Sequence, residues 1–279
     1  MNSTTRRHFF ERVGAWGLVA LAVVLVSGCV SAPSVPPAAR TELTPTGKLR
    51  VGLILSNQVL VTKDPTTGEL RGVTISPGKA VAQRLNVLFE PVGYANPAAL
   101  VKSFGTNEWD IAFLAFDAVR AQEVDFSPPY MEVDNTYLVT ANSKIETVER
   151  ADQVGVTIAV PERSAPDLFL SRNLRSAKLL RVQGGADAAV EALRSGKADA
   201  YAENAHMLSL YADRLPGVRV LEGRYTVIQH AVATPKGKMA ASEYMKTFVE
   251  AAKADGAIAE AIRAAGLRRT RVAPPSQVK

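Results

Sequence analysis

Short apolar runs along the chain alternate with segments in which apolar residues recur every three or four positions. Residues 48–55, 87–92 and 110–114 have the length and composition of strands, and helices are expected from Ser76-Pro77 and Asn96-Pro97. A capping residue followed by proline is typical of a helix start. Strands that alternate with helices usually pair in parallel, so this region predicts an α/β sheet.

The same alternation begins again after residue 140. Two successive α/β series predict two lobes, each a mixed sheet flanked by helices. The expected strands of the second series are 156–160, 178–182, 198–202 and 225–234, and its expected helices are 164–174, 187–193 and 240–265.

The N-terminal segment indicates export from the cytoplasm. Arg6, Arg7 and Arg12 precede an apolar stretch, residues 13–26, which is shorter than the ~20 residues of a spanning helix. This pattern predicts a signal peptide over residues 1–28. The run of residues 5–10, TRRHFF, resembles the twin-arginine export motif, and both the twin-arginine and the general secretion routes remain open.

The single cysteine, Cys29, follows Val26-Ser27-Gly28 and matches the lipobox of bacterial lipoproteins. Cleavage before Cys29 and acylation of its sulfur and new amino terminus would attach enough acyl chains for stable membrane anchoring. Residues 29–46 contain four prolines and few large apolar side chains, a composition that predicts a semi-extended linker. The expected location is therefore periplasmic, with a lipid anchor in the membrane.

Charge and motif content exclude several functions. The formal net charge is +6, but no basic stripe carries interleaved aromatic residues, so nucleic acid is not an expected partner. Arg268, Arg269 and Arg271 fall in a segment predicted to be a basic polar tail, residues 268–279. Phosphate-binding loops, nucleophile motifs and metal-ligand spacings are lacking, so neither an enzyme nor a cofactor or metal site is expected.

The run of residues 109–130, WDIAFLAFDAVRAQEVDFSPPY, places Arg120 in a loop between two strand-like stretches. The guanidinium offers a planar fork of donors that matches a carboxylate, although a surface arginine on a turn remains the alternative. This run resembles the family 3 solute-binding proteins of bacterial ABC importers, the polar amino-acid binders. In that family an arginine six residues before the Phe of a DFSxPY-like motif binds the ligand carboxylate.

The resemblance covers nearly all of residues 48–267 and implies the two-lobed type II fold of periplasmic binding proteins. The chain would cross between the lobes twice, near residues 136–141 and 229–234, and both crossings would be hinges. The implied function is capture of a small carboxylate-bearing solute, such as an amino acid, by hinge closure and its delivery to an ABC permease. The corresponding lobes are residues 47–138 with 232–267, and residues 139–231.

Two further segments match the family, each with a departure. Residues 164–167, SAPD, fit a capping box, so Ser164 is either a plain cap or a contact for an anionic ligand group. Glu162-Arg163 stands where the family usually has glycine. Asn204 occupies the place of an aspartate that pairs with the ligand ammonium. An amide supplies no counter-charge, which favours a ligand with net negative charge or without an ammonium; the alternative is that Glu203 or a backbone carbonyl receives the ammonium.

The remaining candidate ligand residues lie near predicted strand ends. They are the backbone groups near Leu114 and Ala115 and the side chains of Phe116, Asn57 and Gln58, for which an ordinary loop role is equally open.

An enzyme on the same scaffold is the alternative function, because cyclohexadienyl dehydratases resemble these binders and use a buried carboxylic acid as proton donor. Glu162 and Glu203 are the available acids. The enzyme needs one of them inside the cleft with a raised pKa, whereas a binding protein is expected to have both solvated or paired.

Overall fold

The computed structural model describes residues 35–276, and the predicted signal peptide and Cys29 lie outside the described residues. Its strands are β1 (Lys48–Ile54), β2 (Thr62–Lys63), β3 (Leu70–Arg71), β4 (Leu88–Tyr94), β5 (Ile111–Ala115), β6 (Val124–Phe126), β7 (Met131–Thr140), β8 (Thr157–Pro161), β9 (Lys178–Val182), β10 (Ala200–Asn204), β11 (Val218–Val220), β12 (Thr226–Pro235) and β13 (Thr270–Val272). Its helices are α1 (Pro37–Leu43), α2 (Ile75–Arg84), α3 (Pro97–Lys102), α4 (Ala165–Asn173), α5 (Ala186–Arg194), α6 (Ala205–Arg214), α7 (Met239–Ala254) and α8 (Ala257–Ala264).

One large mixed sheet runs through the molecule in the order β4-β1-β5-β12-β7-β10-β8-β9. β1 is parallel to β4 and β5, and β8 is parallel to β9 and β10. The two long strands β7 and β12 are antiparallel to each other and separate these parallel sets. The predicted α/β fold, with two strands crossing between its halves, is confirmed.

Buried apolar side chains form separate cores at the two ends of this sheet. Leu49, Phe113 and Met245 belong to the first core, whereas Tyr137 and Leu138 belong to two different cores at the other end. Consecutive residues of a strand point to opposite faces, so β7 contributes to both faces of the second lobe. Each lobe thus has its own apolar interior. The strands β7 and β12 join the two lobes.

Residues 29–46 were predicted to form an extended linker. In the described part of that segment, from residue 35 onward, the chain instead forms helix α1. Ala39 and Leu43 are fully buried in the first core, and Glu42 accepts a hydrogen bond from the Ala241 amide at 2.8 Å. These apolar residues are four positions apart and so share one helix face. Pro37 begins the helix, where a missing N–H is tolerated. Proline here starts a helix rather than extending the chain.

The C-terminal segment also differs from the predicted polar tail. Strand β13 adds to the edge of β7, and Ala273 is buried. Arg271 pairs with Glu132 at 2.8 Å and with Asp134 at 2.9 Å. Arg269 also pairs with Asp134, and Arg268 pairs with Asp213 of α6 at 2.6 Å, so the basic residues of this segment have acidic partners elsewhere in the fold.

Candidate ligand-binding site

A cavity of about 50 Å³ lies between the lobes, where the carboxyl ends of β1, β5, β8 and β10 face one another. Open α/β sheets generally bind ligands at the carboxyl ends of their strands. Five predicted ligand residues line this cavity, namely Asn57, Ala115, Arg120, Ser164 and Asn204.

Two predicted ligand residues, Phe116 and Gln58, lie elsewhere, which corrects their assignment to the same cleft. The side chain of Leu114 is buried in the first core, because it alternates with Ala115 along β5, and a ligand contact through the backbone near Leu114 stays a prediction. Phe116 is 45% exposed, stacks edge-on against Phe126 at 5.3 Å, and faces a separate hollow. Gln58 lines another surface hollow, beside β2, β3 and α8, because the chain turns sharply after Asn57.

Arg120 is the buried cation of the cavity, with 3% of its surface exposed. Its Nη1 donates to the Ala115 carbonyl at 2.9 Å and its Nη2 donates to the Arg163 carbonyl at 2.8 Å. Its Nε has no hydrogen-bond partner within residues 35–276. Burial lowers the pKa of the guanidinium to about 10, so the group keeps its charge at neutral pH.

Asp117 shapes the loop that carries Arg120 without a hydrogen bond to it, and its charge partly opposes the effect of burial on the pKa of Arg120. Its Oδ1 accepts from the Val119 amide at 2.8 Å. Its Oδ2 accepts from Arg172 of α4 at 2.6 Å. The contacts of Arg120 within the described residues are thus carbonyl groups, which leaves its positive charge available to an anionic ligand.

The turn before α4 forms the opposite wall. Ser164 Oγ accepts from the Asp167 amide at 3.3 Å, and Asp167 Oδ2 accepts from the Arg163 amide at 2.9 Å. Ser164 is therefore the cap of α4 and also lines the cavity, whereas the return bond of a capping box is made to Arg163, one residue before the cap. Arg163 has φ 58°, a left-handed conformation that glycine adopts more easily. In this conformation its carbonyl meets Arg120.

Both polar groups of the Asn204 side chain already form hydrogen bonds, which the sequence does not indicate. Its Oδ1 caps α6 by accepting from the Met207 amide at 2.8 Å, and its Nδ2 donates to Glu203 Oε1 at 3.0 Å. Glu203 lines the same cavity. Burial raises the pKa of Glu203, against the opposing effect of its hydrogen bonds from Asn204. The cavity therefore has an acid beside Asn204, as the alternative in which Glu203 receives the ammonium requires.

Sequence reasoning missed two cavity residues on the crossing strands. Asn135 of β7 is 1% exposed and His230 of β12 is 5% exposed. Asn135 Oδ1 and His230 Nδ1 have no partners within the described residues. Burial, followed by the charge of Arg120, lowers the pKa of His230 to about 3, so this imidazole is neutral. The signal that identifies both is a polar residue inside an otherwise apolar strand.

Two α/β lobes with a polar cavity between them define a two-lobed ligand-binding protein of the periplasmic type. A profile of the bacterial extracellular solute-binding proteins, family 3, matches residues 49–264, and the chain belongs to this family.

Individual relatives agree with this membership. The chain is 25% identical over 263 residues to the glutamine-binding protein GlnH of a Bacillus subtilis ABC transporter, with 88% of this chain and 94% of the relative covered. An ancestral amino acid-binding protein, described as a precursor of cyclohexadienyl dehydratase, aligns with TM-score 0.68 and 25% identity over 81% of this chain and 97% of its own. An arginine-bound substrate-binding protein from Streptococcus pneumoniae aligns with TM-score 0.69 and 23% identity over 83% and 99%.

Two features are absent from the described residues. None of the helices between residues 35 and 276 is long and apolar enough to cross a bilayer. In the same range, no three His, Cys, Asp or Glu side chains are grouped so that they could hold a metal ion.

Proposed function

We propose that this protein is the solute-binding component of an ABC importer and captures a small carboxylate-bearing solute, an amino acid or a related compound. The observation that carries the proposal is Arg120, a buried cation in the interlobe cavity whose partners in the described structure are carbonyl groups. A buried charge is costly unless it is paired, and a ligand carboxylate would pair it. Family membership and the glutamine-binding relatives support the same class of ligand.

Capture proceeds by hinge closure in this proposal. The first lobe comprises residues 47–138 and 232–267, the second comprises residues 139–231, and the crossings near residues 136–141 and 229–234 act as hinges. The solute docks on Arg120 of the first lobe, and the turn at Ser164 closes over it. Arg120 also donates to the Arg163 carbonyl of the second lobe, so one side chain joins ligand contact to closure. Binding energy then shifts the population toward the closed state.

A ligand screen tests this function. The purified mature protein is expected to show a raised Tm with at least one of the twenty L-amino acids, their 2-keto analogues or small dicarboxylates. A ligand at 100 times its Kd stabilises by about 2.7 kcal/mol, which for a domain of this size corresponds to roughly 5–10 °C. If no compound in the panel changes Tm and calorimetry detects no heat of binding, the proposed function is wrong.

We also propose that acylated Cys29 anchors the protein in the membrane, and this part of the proposal can be tested separately. Cys29→Ala removes the only thiol, so the exported protein should move from the membrane pellet to the soluble periplasmic fraction. Solute affinity should stay unchanged, since Cys29 precedes the described, folded residues. Recovery of the alanine variant in the membrane pellet would contradict lipid anchoring at this position.

A second function, dehydration by an enzyme on this scaffold, is favoured by one observation. Glu203 lies in the cavity with a raised pKa, whereas Glu162 lines a different hollow. Binding is still the better account, because two donors on Glu203 Oε1 favour the ionised acid rather than a proton donor. Incubation with a carboxylated cyclohexadienol decides between them: ultraviolet absorbance of an aromatic product would support the enzyme, and its absence beside tight amino-acid binding would exclude it.

A further inference from the structure

Three buried polar groups of the interlobe cavity have no hydrogen-bond partner within residues 35–276. They are Arg120 Nε, Asn135 Oδ1 and His230 Nδ1, and all three residues line the cavity. Buried polar groups in native proteins nearly always have a partner, because leaving one unpaired destabilises the fold. The solute carboxylate of the proposed function accounts for Arg120. Asn135 and His230 need a separate explanation.

These two residues lie on the strands that cross between the lobes. His230 of β12 is directly opposite Ala115 in the sheet, and the Ala115 carbonyl accepts from Arg120 Nη1 at 2.9 Å. Asn135 of β7 is directly opposite Asn204. Opposite residues of an antiparallel pair point to the same face of the sheet, and all five of these residues line the cavity. The crossing strands thus add polar groups between the two walls of the cavity.

Both residues offer an acceptor. Asn135 Nδ2 donates to the Val133 carbonyl at 3.0 Å, so the free group of Asn135 is its amide oxygen. A neutral imidazole has one protonated and one unprotonated nitrogen. The Ile228 carbonyl acts on the His230 ring, and as an acceptor it can serve only the protonated nitrogen. The unprotonated nitrogen therefore receives no donor from the described residues.

The electrostatics at these acceptors disfavour both kinds of ion. Burial and then the positive charge of Arg120 lower the pKa of His230 to about 3, and the same charge opposes an ammonium beside the ring. Two acceptors without a donor between them repel a carboxylate. The cavity volume of about 50 Å³ corresponds to only a few water molecules. The group that fits is therefore small, neutral and a hydrogen-bond donor.

We propose that Asn135 Oδ1 and the unprotonated nitrogen of His230 bind a neutral donor group of the solute, a hydroxyl or a primary amide, beside the carboxylate held by Arg120. This inference rests on the proposed function and names a chemical feature of its solute. A solute without such a group would leave both acceptors buried and unpaired, so the two residues determine selectivity.

Calorimetry with matched solutes tests the inference on the wild-type protein. The pairs are L-serine with L-alanine, L-threonine with L-valine, L-glutamine with L-methionine, and L-lactate with propionate. In at least one pair the member with the donor is expected to bind ~10- to 100-fold more tightly. Ratios near one in every pair would overturn the inference, because a water molecule retained beneath the solute would then serve both acceptors.

Two other results separate this inference from the proposed function. A best solute of the amino-acid screen with neither a hydroxyl nor a primary amide would overturn the inference as well. The proposed function would stand in either case if Arg120→Ala still abolished binding of that solute. Failure of the whole screen would instead contradict the proposed function itself.

His230→Leu and Asn135→Leu remove the two acceptors one at a time. Each substitution should reduce the affinity ratio of the best pair by at least ~5-fold, while the member without the donor binds as before or more tightly. The Tm of the solute-free His230→Leu protein should stay the same or rise, because an unpaired polar group is lost from the interior. An unchanged affinity ratio in either variant would overturn the inference.

His206 of α6 provides the matched control. It is also buried, with 6% of its surface exposed, but its Nδ1 accepts from the Arg268 amide at 3.1 Å. His206→Leu should therefore lower Tm and leave the affinity ratio unchanged. A comparable loss of Tm in His230→Leu would show that this imidazole has a structural partner and would overturn the inference. Should a variant fail to fold, the wild-type ratios decide on their own.

Discussion

Replacing Arg120 with alanine is expected to reduce solute affinity by about 2–4 kcal/mol, or roughly 30- to 1000-fold. The substitution removes the buried cation and strands the solute carboxylate in a closed cavity. It also removes the donor to the Arg163 carbonyl, so the second lobe loses a closure contact at the same time. Calorimetry with the best ligand of the amino-acid screen measures the loss directly.

Two further variants show how much of the loss in Arg120→Ala comes from the charge of Arg120 and how much from the geometry of its donors. Arg120→Lys should recover only part of the affinity, because an ammonium cannot reproduce the donor fork that serves two carbonyls and a carboxylate. Arg194→Ala, at the exposed end of α5, changes the net charge equally and should bind normally. Wild-type affinity in Arg120→Ala would remove the basis for the site.

The fold was predictable because strand and helix periodicities are local properties of the sequence. Parallel pairing followed from their alternation, and the helix start at Asn96 was recognisable because its side chain caps α3, accepting from Ala99 at 2.9 Å. The failures involve tertiary contacts. Residues 37–43 form a helix because α1 packs against α7, and Thr270–Val272 form a strand because residues 131–133 of β7 precede the segment that pairs with β10. Neither partner is visible in the local pattern.

The site residues were predictable where a single sequence motif indicates both where a side chain lies in the fold and what it can bind. Arg120 and Ser164 are fixed by the loop after β5 and by the cap of α4, and the structure brings both to one cavity. Gln58 and Phe116 were misplaced because the direction of a side chain at a strand end depends on the turn that follows. Glu203 was considered as an enzyme acid and as an alternative acceptor of the ammonium, but its place beside Asn204 in one cavity was not predicted, since a one-residue shift along a strand normally moves a side chain to the other face. This alternation does not separate the two residues at the end of β10, where Glu203 and Asn204 both line the cavity.

Asp167→Ala is expected to destabilise the protein by roughly 2–4 kcal/mol, because it removes the acceptor of several hydrogen bonds at a buried position. The carboxylate is 4% exposed. It accepts from the Arg163 amide at 2.9 Å and from Arg181 Nε at 2.8 Å. Urea unfolding of the purified protein measures the effect. Arg181→Ala removes only the half-exposed ion-pair partner and should cost under about 1 kcal/mol, which distinguishes the hydrogen bond to the Arg163 amide from the salt bridge.

The same substitution should weaken solute binding, because Asp167 holds Arg163 in the left-handed conformation that presents its carbonyl to Arg120. A non-glycine residue in that conformation is disfavoured by about 1–2 kcal/mol, so without Asp167 the turn should relax and misplace the wall of the cavity. Arg163→Gly provides the decisive comparison. Glycine adopts φ 58° readily, so adding it to Asp167→Ala should restore part of both stability and affinity. Additive losses in the double variant would show that Asp167 acts independently of the turn.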